Sequence, residues 1–169
     1  MEDFAMDEHA MALDRTAFCT RLMEDMPDAV VYADAEGMIR FWNAGAARIF
    51  GFSAAEALGC SLDIIIPEGP RARHWAGYRA TMASGQTRYG AGDLLAVPAL
   101  RKDGTRISVE FTIVPFRAAD GRMAGIAAVL RDVTARFEET RALRRELATL
   151  HAQGPGRAQG PGRAQGPGG

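Results

Sequence analysis

The sequence has no excess of charge of either sign and no long hydrophobic run. Its 169 residues include 20 Lys and Arg against 21 Asp and Glu, a formal net charge of −1. A chain that binds nucleic acid or an anionic membrane usually carries a basic excess, so we expect no direct contact with either. Apolar runs such as 127–130 are far shorter than the ~20 residues that a membrane span needs.

Cysteine and histidine are scarce, with two and three residues respectively. Cys19 and Cys60 form neither a CxxC motif nor a metal-ligand spacing, so we interpret them as reduced thiols. His9 and His151 lie in the terminal extensions, and no nucleophile motif, HExxH or P-loop surrounds His74. We therefore expect no enzymatic activity. The acidic N-terminal stretch has no apolar signal-peptide core, which predicts a cytoplasmic protein.

The two ends of the chain differ in composition from its centre. Residues 153–169 are dominated by Gly and Pro and contain nothing apolar larger than Ala. Such a segment buries too little surface to offset its ordering entropy, which predicts a disordered tail. At the other end, residues 1–23 are predicted to form an amphipathic helix or a frayed extension. The apolar residues near one helical stripe are Leu13, Phe18, Leu22 and Met26.

In the centre of the chain, the spacing between hydrophobic residues changes twice. Two short alternating runs at 29–34 and 38–43 predict a β-hairpin. Short helical pieces follow, and from residue 86 the period is two again, which predicts strands at 88–100, 106–117 and 123–131. Sequential hairpins imply a five-stranded antiparallel sheet, with the helices on one face. The predicted fold class is α/β, in the α+β arrangement.

Capping residues mark the helical pieces. Asn43 is a suitable N-cap for a helix at 44–50, and Gly51 ends it. Ser53 is followed three residues later by Glu56, the spacing of a capping box. A longer helix is predicted at 71–83.

The last predicted helix, 135–152, has a narrow leucine stripe. Leu143, Leu147 and Leu150 fall at i, i+4 and i+7, with charged residues around them. This pattern is typical of a coiled-coil seam and predicts a homodimer. The alternative is a helix that folds back on its own sheet.

Several short stretches, in their order along the chain, resemble the PAS family of sensor domains. The resemblance covers about residues 24–137, and we place the domain at 24–134. The matching stretches are MPDAV at 26–30, FWNA at 41–44, IFGFS at 49–53, EALG at 56–59, RKDG at 101–104 and RDVT at 131–134. The resemblance implies a PAS fold with helices flanking the domain at both ends. It also implies that Asp132 and Thr134 relay a signal from the sheet to the C-terminal helix.

PAS domains generally bind a ligand between the helices and the inner face of the sheet. Carried onto this sequence, the resemblance implies that residues from the long helix and the inner strands line that site. These candidate ligand-binding residues are His74, Tyr78, Met82, Leu95, Val97, Ile113 and Leu130.

The ligand itself is left open, with haem b as the sharpest hypothesis. Residues 66–74 resemble, without gaps, the segment that carries the proximal histidine in oxygen-sensing haem PAS proteins, and His74 falls on the position of the iron ligand. Asp93 stands where those sensors use an Arg to hold oxygen, which argues against oxygen sensing. The alternative is that His74 is a partly exposed capping residue or part of a solvated basic face, and that another small molecule, or none, is bound.

Flavin-cysteinyl photochemistry is rejected from the sequence. Light-sensing flavin domains of the family carry their reactive cysteine in a GRNCRFL motif, three residues after its glycine. In the matching stretch here, Cys60 comes two places too early and Leu62 stands where the thiol belongs.

The sequence therefore predicts a sensor module for signal transduction. It would bind a small ligand or cofactor and relay its state through the C-terminal helix to a partner signalling protein such as a kinase or a regulator, with any effect on transcription being indirect. The alternative is a ligand-free PAS module that serves dimerisation or protein interaction.

Overall fold

The computed structural model describes residues 14–87 and 93–152, which form an α+β fold. The described residues fall into two compact units, one up to Thr134 and the other from Ala135. The helices and strands, in chain order, are α1 (Arg15–Asp25), β1 (Ala29–Asp34), β2 (Ile39–Trp42), α2 (Ala44–Phe50), α3 (Ala54–Ala57), a 3₁₀ turn (Leu62–Ile64), α4 (Glu68–Ser84), β3 (Leu95–Leu100), β4 (Arg106–Arg117), β5 (Met123–Asp132) and α5 (Thr134–Ala152). The predicted tail at 153–169 lies outside the described residues.

The sheet has five antiparallel strands in the order β2-β1-β5-β4-β3. This confirms the predicted fold class and strand number. In this strand order the first strand, β1, pairs with the last strand, β5, as well as with its hairpin partner β2. The two edges are β2 and β3, and Pro98 in β3 is suited to an edge because it has no N–H to donate to a further strand.

The strand predicted at 88–100 is too long. The β3 ladder begins at Leu95, opposite Phe111, and the preceding Asp93 and Leu94 are outside the strand. Residues 88–92 lie outside the described ranges. Asp is a poor strand former, which is consistent with a ladder that starts after Asp93.

The core lies between the inner face of the sheet and the helices that follow β2. Alternate residues of β1 (Ala29, Val31 and Ala33) contribute to it, and Phe50 of α2 is fully buried. Because side chains alternate across a strand, the same register places Ala128 of β5 and Ile113 of β4 on this inner face.

The predicted caps are present, but α4 is longer than expected. Asn43 caps α2, and Ser53 and Glu56 form a complete capping box on α3. The helix predicted at 71–83 instead begins at Glu68. Pro70 lies in its first turn, where a missing N–H costs nothing because that group has no intrahelical acceptor.

The two flanking helices expose their apolar residues. Phe18 and Leu22 of α1 are about half exposed, and α1 buries no side chain. It begins after the cap Asp14. In α5, described by itself, residues 135–151 are all exposed. No helix among the described residues is both long and apolar enough to cross a membrane.

Candidate functional site

The inner face of the sheet is only partly covered beside β3. Leu95 lies opposite Phe111, and Phe111 lies opposite Leu130, so these residues share one face. Leu130 is buried, but Leu95 is half-buried and Val97 is 41% exposed. Ile113, farther along β4 on the same face, is half-buried. The strand residues assigned from the sequence thus form an apolar surface that the described residues leave open in part.

Helix α4 carries the other candidate residues on a single face. His74, Tyr78 and Met82 are spaced four residues apart, and Tyr78 is buried. Its hydroxyl donates to the backbone oxygens of Ala33 (3.1 Å) and Asp34 (2.6 Å). Burial, with a smaller contribution from the Asp34 carboxylate, raises the pKa of Tyr78 well above its usual value. The phenol therefore stays protonated and fixes α4 to the end of β1.

Trp75 is a second attachment point that the sequence did not single out beyond packing. Its indole N–H donates to the Asp63 carboxylate at 2.8 Å. The ring lies against Gly37, where an added Cβ would come within 2.3 Å of the indole carbons. Gly37 also has φ of +80°, a conformation that side chains disfavour. The β1–β2 turn therefore accepts the indole only because residue 37 is glycine.

His74 is half-buried between these aromatic residues. Its ring centroid lies 5.0 Å from that of Trp75 and 5.9 Å from that of Tyr78. Its Nδ1 atom is buried and has no hydrogen-bond partner among the described residues. Burial lowers the pKa of His74, and the Asp63 carboxylate offsets this only in part. The imidazole is therefore neutral at pH 7.

The donor chemistry at His74 fits haem. A neutral imidazole beside an apolar surface is the usual axial ligand of haem iron. A ligating histidine also commonly donates from its second ring nitrogen to a carbonyl or carboxylate; the described residues supply no such acceptor for Nδ1. Among the described residues, no group of three or more His, Cys, Asp and Glu is arranged to hold a free metal ion.

The thiol discussed for flavin chemistry lies at the surface. The Cys60 thiol is directed at the backbone oxygen of Glu56 at 3.1 Å, in an exposed position. Leu62, at the place where a reactive cysteine would stand, is packed in the core.

The residues assigned to signal relay are joined at the start of α5. Asp132 accepts hydrogen bonds from the backbone N–H (2.9 Å) and the hydroxyl of Thr134 on one oxygen, and from Arg101 at 2.7 Å on the other. The Thr134 hydroxyl oxygen accepts the backbone N–H of Ser108 at 2.9 Å. Burial pushes the pKa of Asp132 upward, but the bonds from Thr134 and Arg101 outweigh it and hold the pKa below its usual value. Arg101, which the sequence did not predict as a relay residue, thus belongs to this cluster.

Comparisons with known proteins agree with this architecture. A family model described as PAS fold matches residues 23–138. The chain is 31% identical over 129 residues to the sensor protein FixL of Bradyrhizobium diazoefficiens, an alignment that covers 75% of this chain and 24% of that protein. The chain therefore spans about a quarter of the length of that relative.

Two solved structures show the same fold. The PAS domain of a protein from Colwellia psychrerythraea has a TM-score of 0.63 at 22% identity, covering 72% of this chain and 99% of that one. An RNA-binding light-oxygen-voltage receptor has a TM-score of 0.63 at 24% identity, covering 89% of this chain and 42% of that one. On the match of the family model to most of its length, the chain belongs to the PAS family of sensory domains found in signal-transduction proteins.

Proposed function

We propose that this chain senses a small ligand or cofactor at the inner face of its sheet and passes the bound state through α5 to a partner protein. The observation that carries the proposal is the side chain of Asp132, which joins Arg101, after β3, to Thr134, the first residue of α5. A ligand that displaces β3 or β4 would act on this cluster. Such a response requires that the ligand bind two states of the domain with different affinity.

Haem b is the ligand that we propose to test first. Its support is the half-buried imidazole of His74, whose pKa is lowered by burial, together with the partly open apolar surface that includes Leu95 and Val97. Bound haem would supply an iron centre whose redox state or axial ligand can change. His74 would hold the iron, while Tyr78 and Met82 would orient the imidazole and shield it from water. The identity to a protein named as a sensor adds support for the sensory role.

An absorption spectrum with and without added hemin tests the ligand. We expect a Soret band in the wild-type protein and in His151→Ala, whose histidine is exposed on α5, and its loss in His74→Ala. Equal hemin uptake by His74→Ala would contradict the assignment of His74. If the wild-type protein takes up no hemin, haem is excluded and the ligand is a different small molecule, or there is none. A flavin spectrum in the purified protein would overturn haem as the ligand.

The partner is proposed to bind through α5, which also forms a homodimer. Leu143, Leu147 and Leu150 are each more than half exposed and follow a coiled-coil spacing. A helix of this kind can join a second copy of the chain or the matching helix of a kinase or regulator. The same observation favours the alternative function, a ligand-free dimerisation module.

Measuring the mass of the protein in solution tests whether α5 forms a homodimer. The double variant Leu143→Gln/Leu147→Gln should be monomeric at concentrations where the wild-type protein is dimeric, as should a chain truncated after Thr134. The matched control is Ala142→Gln/Ala148→Gln, which changes two exposed residues beside the stripe and should remain dimeric. The same number of chains per particle in all four proteins would refute the coiled coil. A dimer that binds no ligand of any class would favour the alternative function.

A further inference from the structure

Helix α4 carries three of the candidate ligand-site residues and is anchored mainly through its N-terminal and central turns. It has 17 residues, of which only Tyr78 is buried. Its side-chain hydrogen bonds to other elements come from Arg71, Trp75 and Tyr78, all in its N-terminal and central turns. Beyond Tyr78, Met82 is partly buried and packs against the core. A further contact holds the end of the helix near the sheet.

That contact comes from Arg117, the last residue of β4. One terminal nitrogen of its guanidinium donates to the backbone oxygen of Gly85, the residue that ends α4, and the other donates to the backbone oxygen of Gly121 at 2.9 Å. A cation at the carboxyl end of a helix is also favoured by the helix dipole. Arg117 thus bridges the end of α4 to the β4–β5 turn.

Gly85 has a backbone conformation that suits the end of a helix. Its φ of +67° is the left-handed conformation of a helix C-cap. An added Cβ would lie only 2.8 Å from both terminal nitrogens of Arg117. In this conformation the guanidinium occupies the space that a Cβ at residue 85 would fill.

We propose that the bridge from Arg117 to Gly85 is a latch, whose release lets the C-terminal turns of α4 move away from the inner face of the sheet while Tyr78 remains as the hinge. Release would uncover Met82 and the part of the core against which it packs. The use of this opening for ligand entry rests on the proposed sensory function; the latch itself does not.

The strand that carries the latch also reaches the relay. β4 has Arg117 at one end, and near its other end the backbone N–H of Ser108 donates to Thr134. One paired strand therefore connects the end of α4 with the first residue of α5. A displacement of β4 would act on both the latch and the geometry at Thr134.

Hydrogen exchange of the full chain tests the latch without any ligand. In Arg117→Ala, we expect the amides of residues 82–85 to exchange about five- to tenfold faster, the effect of losing charge-assisted bonds at a partly exposed site. Amides 74–78, next to the hinge, should be unchanged. Arg117→Lys, which retains the charge but cannot bridge both carbonyls, should give a smaller increase.

The matched control is Arg122→Ala, in the same hairpin. Arg122 is highly exposed and its guanidinium pairs with Asp120, so its loss should leave the exchange of α4 unchanged. Equal rates in Arg117→Ala and the wild-type protein would overturn the proposal, as would equal acceleration along the whole of α4, which would mean that Arg117 supports the helix as a unit.

Hemin uptake separates this proposal from the proposed function. If Arg117→Ala shows the expected exchange and also takes up hemin faster than the wild-type protein, the latch controls entry. If exchange responds but neither protein binds hemin, the latch stands and haem as the ligand fails. If both bind hemin at equal rates while exchange is unchanged, the latch fails and the ligand assignment stands.

Discussion

The side-chain oxygen of Asn43 accepts the backbone N–H of Val30 at 2.9 Å, so that one buried side chain joins β1 to the start of α2. The same oxygen accepts the N–H of Ala46 at 2.8 Å, and the amide nitrogen donates to the oxygen of Asp28 at 3.0 Å. Asn43 is only 4% exposed. With a longer bond to the backbone oxygen of Met26 (3.5 Å), its amide has four backbone partners.

Replacing Asn43 by alanine should lower the free energy of unfolding by about 2–4 kcal/mol, because buried backbone groups would lose their partners. Urea unfolding with an unchanged slope measures this loss. The control is Ser53→Ala, which removes an exposed cap and should cost about 1 kcal/mol. A loss for Asn43→Ala no larger than that of the control would contradict the role assigned to the buried amide.

The two functions of Asn43 show what the sequence could predict. Its cap on Ala46 is local, and the sequence predicted it together with the glycine that ends α2. Its bond to Val30 joins residues 13 positions apart and depends on how β1 is placed beside β2. Capping motifs carry no information about such a pairing.

The candidate site also has one part that the sequence predicted and another part that it did not. The resemblance assigned Leu95 and Ile113 to one site, and the strand register places both on the inner face. The sequence did not predict that Val97 would be 41% exposed, because exposure depends on which other elements pack over β3. The bonds from Arg101 to Asp132 and from Arg117 to Gly85 join residues about 30 positions apart, beyond the reach of any local pattern.

Two glycine-to-alanine substitutions should have opposite effects on stability. An added Cβ at Gly45 would lie 2.1 Å from the backbone oxygen of Asp28, whereas Gly77, within α4, has no atom that close to its added Cβ. We expect Gly45→Ala to destabilise by more than ~2 kcal/mol and Gly77→Ala to stabilise by up to about 1 kcal/mol. Thermal unfolding of both variants measures the difference. Equal effects would mean that the approach of α2 to Asp28 is looser than described.

Removing the hydroxyl of Tyr78 should loosen α4 selectively. Tyr78→Phe loses the bonds to Ala33 and Asp34 and should cost about 1 kcal/mol, with faster amide exchange throughout α4. Tyr32→Phe is the matched control, because its hydroxyl donates to the oxygen of Ala124 at 3.1 Å within the sheet. For Tyr32→Phe we expect a loss of stability similar to that of Tyr78→Phe, but unchanged amide exchange in α4. Identical exchange profiles for the two variants would contradict the anchoring role of Tyr78.

The ion pair between Asp132 and Arg101 makes the start of α5 sensitive to acid. The pKa of Asp132 is lowered in the folded protein, since the bonds from Thr134 and Arg101 outweigh the effect of burial. A carboxylate of this kind stabilises the fold above its unfolded pKa of about 3.9. That stabilisation is lost as the pH falls through the lower, folded value.

Asp132→Asn should therefore be less stable than the wild-type protein by about 1–2 kcal/mol at pH 7, a figure reduced because Arg101 is partly exposed. The difference should stay constant down to about pH 5 and begin to shrink below about pH 4, where the carboxyl of the unfolded chain takes up a proton. It should disappear only as the pH falls through the lower, folded pKa, where Asp132 itself becomes protonated and no longer attracts Arg101. Urea midpoints at several pH values measure this. Asp25→Asn, which changes an exposed carboxylate on α1, should stay within about 0.5 kcal/mol of the wild-type protein throughout. A difference between Asp132→Asn and the wild-type protein that does not shrink in acid would mean that side-chain packing, and not charge, sets the contribution of Asp132.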